Sequence, residues 1–256
     1  MIGLIGRIAV MAMLIVMPTG FAAAAELKVY STIGVKGAVE ELLPQLEKAS
    51  GDKLAITWGT AAMLAKRVEA GESADLLLLT RSAMDGLSKE GKIVPGSDVT
   101  IASSGIGVGI KAGAPKPDIS TPEALKQTLL KAKSIAYSSP ASGGASGVYF
   151  AKLLERMGIA DAMAPKTKYP PPGGNAADLL LTGEAELAIQ QKPEIMDVPG
   201  AEVVGVLPGD LNHVTPFAAG IAAGSNNADA AKAAIKVLQS PQAAAVFKAK
   251  GLDPAS

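Results

Sequence analysis

From residue 27 onward, apolar positions follow two alternating rhythms: short continuous runs, and longer stretches in which they recur at helical spacing. The runs Leu27–Ser31, Lys53–Trp58, Ala74–Thr80, Ile106–Ile110, Ile135–Ser138, Glu186–Gln191, Val203–Leu207 and Phe217–Ala222 predict strands. Between them, Lys36–Ala49 places Val39, Leu42, Leu43 and Leu46 on one helical face, with Pro44 as an awkward interior residue that predicts a kink. Further helices are predicted at Ala62–Ala70, Met84–Lys89, Pro122–Ala132, Val148–Met157, Ala176–Leu181, Ala228–Gln239 and Pro241–Lys250. Thr121-Pro-Glu marks one start plainly, with a capping hydroxyl, a proline at the first helical position and an acid in the first turn. Leu76 to Leu79 has no polar alternation and reads as a strand covered on both faces. Strands alternating with helices imply an α/β fold with mostly parallel sheets, and no repeat of fixed period is apparent.

The first 25 residues break this rhythm. One arginine at position 7, an apolar run Ile8 to Met17, Pro18-Thr-Gly20 and then Phe21-Ala-Ala-Ala-Ala25 read as a secretory signal peptide cleaved near Ala25. The run is short for a membrane span, which needs about 20 residues. The mature chain is therefore expected to be soluble and periplasmic. The absence of cysteine removes disulfides, thiolate metal sites and cysteine nucleophiles. Loss of Arg7 leaves 23 basic against 24 acidic side chains, interspersed throughout, so no electrostatic footprint for nucleic acid exists. An aromatic content of 4% argues against a stacking surface for sugars.

Chemistry concentrates at strand-to-helix junctions, where open α/β sheets bind ligands. In Ser134–Tyr149 an apolar run breaks into Ser-Ser-Pro-Ala-Ser-Gly-Gly-Ala-Ser-Gly before a helix, so Ser142, Gly143, Ser146 and Gly147 offer hydroxyls and free N–H groups to an anion. The same residues also serve as an ordinary cap and turn. Thr60 is either an N-cap or a ligand contact, and Trp58 either core or cleft wall. Of Gln190 and Gln191, adjacent on a strand, only one can face a cleft. His213 is the only histidine, so metal binding through a histidine cluster is not expected, and no cofactor or metal is called for. A Gly-X-Ser-X-Gly elbow, a His-Glu-X-X-His pair and a phosphate loop are all missing, and Gly105-Ile-Gly-Val-Gly109 lacks dinucleotide spacing.

Leu27-Lys-Val-Tyr-Ser31, Leu64-Ala-Lys-Arg-Val-Glu-Ala-Gly71 followed by Ala74-Asp75-Leu76, Gly147-Val-Tyr149 and Ser240-Pro-Gln-Ala-Ala-Ala-Val-Phe-Lys248 resemble the periplasmic molybdate-binding proteins of ABC transporters over essentially the whole mature chain. The resemblance implies a class II periplasmic binding protein, with two α/β lobes and an anion cleft between them: lobe 1 from 26–104 plus 217–256, lobe 2 from 105–216. It also implies an ABC permease as partner and a monomer. Family serines after the first and second strands fall at Gly34 and Ala61, and a family tyrosine falls at Gln191. These departures disfavour molybdate and suit a larger anion, a di- or tricarboxylate. Ligand contacts are then expected at Gly34, Lys36, Thr60, Ala61, Ser104, Tyr149 and Gln191, in addition to the glycine–serine loop. Gln-Gln-X-X-Glu194 and the Ser-Gly-Val-Tyr helix start also resemble a divergent branch that includes periplasmic aconitate isomerases. The leading expectation is a solute-binding protein for a small organic anion; the alternative is aconitate isomerisation by a 1,3-allylic proton shift, with Lys36, Tyr149, Glu194 and His213 as candidate proton carriers.

Overall fold

The computed structural model describes residues 26–255; the expected leader lies outside them. The chain begins with β1 (Glu26–Thr32), α1 (Lys36–Ser50), β2 (Lys53–Gly59), α2 (Ala61–Glu69), β3 (Leu76–Thr80), α3 (Arg81–Lys89) and β4 (Val99–Ser104). It then passes through β5 (Ile106–Lys111), α4 (Pro122–Lys131), β6 (Ile135–Ala136), α5 (Ala145–Arg156), α6 (Ala160–Met163), β7 (Thr167–Lys168) and α7 (Asp178–Thr182). The remainder is β8 (Leu187–Gln191), α8 (Lys192–Met196), β9 (Ala201–Val206), β10 (Thr215–Ile221), α9 (Ala228–Leu238), α10 (Pro241–Ala249) and β11 (Asp253–Pro254).

These strands form two sheets, ordered β11-β4-β10-β3-β1-β2 and β7-β6-β8-β5-β9. The chain passes from the first to the second at Gly105 and returns between Val206 and Thr215. The α/β class holds, but the sheets are mixed rather than mostly parallel. β1 pairs in parallel with β2 and β3, and β6 with β7 and β8, whereas β10 runs antiparallel to β3 and β4, and β5 antiparallel to β8 and β9. β10 enters its sheet from the return crossing, opposite in direction to the strands built by right-handed βα units. Three strands were not expected: the two-residue β7 and β11, and β4. β4 contributes Val-Thr-Ile-Ala-Ser-Ser, a weak pattern; it is a strand because β10 and β11 hydrogen-bond to its two edges.

Packing explains the uninterrupted run in β3. Leu76 and Leu78 point into a cluster with Val39, Leu42 and Leu46 of α1 and Ala231 and Ile235 of α9, while Leu77 and Leu79 point to the other face, against Leu64 of α2 and Met84 and Leu87 of α3. Each leucine buried in this way contributes about 1.5–3 kcal/mol. The second sheet repeats the scheme, with Ile106, Val108 and Ile189 against α4 and α5 on one face, and Ala136 and Ala188 against α7 and α8 on the other. Helix α1 runs unbroken through Pro44. Helix α5 begins three residues before its expected start, which brings Ser146 and Gly147 into its first turn, whereas α7 begins two residues later than expected, at Asp178, after a turn in which the Ala176 N–H donates to the Gln190 side chain.

Candidate functional site

The C-terminal ends of β1, β2 and β3 each deliver a threonine before a helical turn. Thr32 closes β1, Thr60 follows β2 and Thr80 closes β3; Thr60 and Thr80 cap α2 and α3 by accepting from the Met63 and Ala83 N–H groups. Facing them from the second sheet are Ser138, which lies just beyond β6, the start of α5, and Gln191 and Glu194 around the β8–α8 junction. Helix α5 opens on Gly144, which has no side chain with which to cap, so its first-turn N–H groups lie at the cavity wall together with the Ser146 hydroxyl. These residues, with the ring of Phe217, enclose a cavity of about 20 Å³, room for about one water.

The two halves touch on either side of this cavity. The Thr60 hydroxyl donates to the Ser142 carbonyl (2.8 Å), and the Gly37 N–H donates to Asp197 (2.9 Å). Beside the return crossing, Gln191 Nε2 donates to the Thr215 hydroxyl (2.9 Å), while Gln191 Oε1 is buried without a partner among the described residues. The amide satisfies only one end, and turned over about χ3 it accepts from Thr215 and aims its NH2 elsewhere.

Glu194 is the electrostatic anomaly. It is 6% exposed, its carboxyl has no hydrogen bond or ion pair among the described residues, and it lies on the wall between the central cavity and a flanking one. Burial, and secondarily the charge of Asp197, push it up to about 8. Its helix is pinned by the Asn175 side chain, which donates to the Glu194 carbonyl (2.7 Å) and is itself held by Gln190. The flanking cavity on that side, about 730 Å³, includes Lys36, Glu40, Asp178, Asp197 and Lys250 in its lining. A second flanking cavity of about 680 Å³ lies beyond Thr60, with Lys66, Arg67, Ser142, Gly143 and Pro170 on its walls.

The expected site residues thus divide. Thr60, Ala61, Ser146, Gln191 and Glu194 meet at the central cavity. Ser142 and Gly143 belong to the Thr60-side flank. Lys36 lines the other flank, half-exposed, paired with Glu40 at 3.7 Å and 5.9 Å from the Trp58 ring centre. Gly34 stands behind the cavity wall, where a β-carbon would lie 2.7 Å from the Phe217 ring. Gly147 makes the close contact that seats α5, since a β-carbon there would overlap the Ser138 carbonyl. Ser104 is fully buried and bonds the Gly105 carbonyl at the crossing. Tyr149 and His213 are not at the cavity. They stack at 4.7 Å beside the return crossing, where the Tyr149 hydroxyl donates to the Leu211 carbonyl. Of the two glutamines, Gln191 faces the cavity and Gln190 the scaffold. The residues not foreseen were Thr32, Thr80, Ser138 and Phe217. A threonine at a strand end before a helix is the signal that marks the first two.

Among the described residues no cluster of histidine, aspartate and glutamate suits a metal ion, and no helix is long and apolar enough to cross a membrane. A model of bacterial extracellular solute-binding proteins matches residues 27–253. An aconitate isomerase from Pseudomonas sp. is 36% identical over 234 residues, covering 89% of this chain and 87% of that protein. The molybdate-binding protein ModA of Escherichia coli (strain K12) is 24% identical over 231 residues, 88% of each chain. In fold, the periplasmic molybdate-binding protein of Azotobacter vinelandii superimposes with a TM-score of 0.73 at 20% identity, covering 90% of this chain and all of that one.

Proposed function

The chain belongs to the bacterial extracellular solute-binding protein family, and we propose that it uses its cleft to bind a small polycarboxylate and to move a proton along that acid, as an isomerase of the aconitate type. The observation that carries this reading is Glu194: a buried carboxyl without a hydrogen-bond or ion-pair partner among the described residues, at a cavity otherwise walled by hydroxyls, an amide and helix N–H groups. In a site that only holds polyanions, an ionised carboxylate would repel the ligand. A carboxyl titrating near neutral pH instead accepts a proton from carbon and gives it back. Glu194 takes a proton from the methylene carbon of the unsaturated acid, and the electron pair spreads into the conjugated carboxylate. The double bond shifts by one position, and the same proton returns to the far allylic carbon. First-turn N–H groups of α5, Ser146 and the threonine hydroxyls stabilise the charge that develops on the carboxylate. The identity to an aconitate isomerase supports the choice of substrate class.

An acid of this size enters when the Thr60–Ser142 and Gly37–Asp197 contacts part, because the closed cavity holds about one water. The family match supports a second reading, in which the acid is bound and handed to an ABC permease without reaction. Molybdate fits the site less well: Ala61 lacks a hydroxyl and the Phe217 ring occupies the space that a side chain at 34 requires. Proton NMR of cis- and trans-aconitate incubated in D2O with catalytic amounts of the mature protein separates the readings. Interconversion is expected, and Glu194→Gln should slow it by about 10²–10⁴-fold while trans-aconitate still binds in calorimetry. Binding heat with unchanged spectra would establish the transport reading instead.

A further inference from the structure

Asp197 lies one turn beyond Glu194, at the C-terminal end of α8, and reaches across to the first turn of α1. Its carboxylate accepts the Gly37 N–H at 2.9 Å, a donor that has no partner within its own helix. The approach is so close that a β-carbon at Gly37 would fall inside the carboxylate, so only glycine permits it. The contact joins residues 160 apart in sequence, carried by opposite sheets, and lies outside the central cavity. On the same side, the turn Ile33–Val35 that leads into α1 packs against α8 and brings Gly34 within reach of the Glu194 carboxyl, 3.6 Å from where a β-carbon would stand.

We propose that Asp197 is a positioning residue: by docking on the Gly37 N–H it holds α8, and with it the Glu194 carboxyl, against the central cavity when the two halves are closed. The role assigned to Glu194 rests on the isomerase reading, whereas the latch itself serves either reading of the cleft. Asp197 also carries charge next to Glu194. It faces Lys36 and Glu40 of α1 and Lys250 beyond α10, and Asp178 at the start of α7 shares its cavity. Burial raises its own proton affinity, opposed by the Gly37 N–H and by Lys250 and Lys36. Hydrogen bonding and charge therefore separate by substitution. Gly37→Ala removes the contact while improving helix propensity, so loss of closure is not a folding defect. Asp197→Asn keeps an acceptor oxygen and loses the charge. Asp197→Ala loses both.

The chain has no cysteine, so Glu69→Cys on α2 and Glu155→Cys on α5, both exposed and on opposite halves, accept a pair of spin labels. Distance distributions are recorded by pulsed electron resonance with and without trans-aconitate, beside calorimetry and the pH profile of turnover. Gly37→Ala and Asp197→Ala are expected to lose the short-distance population, and trans-aconitate affinity should fall by about tenfold or more. Asp197→Asn should keep the short distance and move the rising limb of the rate profile to lower pH, because the charge that favours protonated Glu194 is gone. Wild-type distances in Gly37→Ala, or an Asp197→Asn protein as open as Asp197→Ala, overturn the latch. Wild-type protein that closes but does not turn over aconitate overturns the isomerase reading and leaves the latch to be judged on distance alone.

Discussion

Replacing Glu194 by Gln should make the protein more stable at neutral pH, by an amount that depends on pH. A carboxyl that titrates near 4.5 in the unfolded chain and near 8 in the folded one binds its proton more tightly when folded. Its contribution is therefore fully present below pH 4.5 and is lost as pH rises toward 8. At about 1.4 kcal/mol per unit, the loss reaches about 5 kcal/mol above pH 8 and about 3 kcal/mol at pH 7. Glutamine is nearly isosteric and never ionises, so the stability gap between variant and wild type should widen by about 3 kcal/mol from pH 4.5 to pH 7. Urea unfolding at intervals across that range measures it, with equal slopes for the two proteins required before their midpoints are compared. A gap that stays constant with pH would refute the reasoning, because Glu194 would then carry the same proton occupancy folded and unfolded. A gain in stability with a loss of turnover is the signature of a strained functional group.

Other residues yield sharper contrasts. Asp75 is buried and accepts from the Lys28 N–H, the Ser225 hydroxyl and the Asn227 amide; burial raises its proton affinity, but these bonds outweigh it and hold the carboxyl below the usual range. Its contribution is thus present above about pH 3.8 and fades as pH falls through the lower folded value, so Asp75→Ala should cost about 3 kcal/mol at pH 7 and less in acid; a cost that does not shrink on acidification contradicts this. Lys36 is half-exposed and paired with Glu40 rather than lining the central cavity, so Lys36→Ala should change trans-aconitate affinity less than about threefold in calorimetry, against the loss of about 1.5–3 kcal/mol expected of a direct carboxylate partner. Gly147→Ala forces a β-carbon onto the Ser138 carbonyl and should destabilise by about 1–3 kcal/mol in urea while weakening the ligand, since α5 and Ser138 move apart at the cavity.

The elements most legible in the sequence were those whose periodicity reports burial directly. β3 and α1 read correctly because one is covered on two faces and the other on one, and both patterns are local. β4 was silent because its strand character lies in hydrogen bonds to β10 and β11, neither of which is near it in sequence. Pro44 sits inside α1 without ending it, because the face carrying Val39, Leu42 and Leu46 is held on the sheet on both sides of it. At the site, Glu194, Thr60 and Gln191 were on the candidate roll, but so were Tyr149, His213 and Lys36, which carry equally plausible chemistry and lie elsewhere.

Residue type and spacing alone settled the class of the fold, the exclusion of thiol chemistry and several of the strand-end residues that line the central cavity. Tertiary structure alone decided which carboxyl is costly. Nothing local distinguishes Glu194 from the other acids of the chain; its proton affinity comes from the burial of α8 against the second sheet and from the first half closing over it, with Asp197 one turn away. Desolvation depends on what surrounds a group in space: residues 34 and 217 come to face residue 194, and residue 37 its neighbour Asp197, only after both sheets have formed.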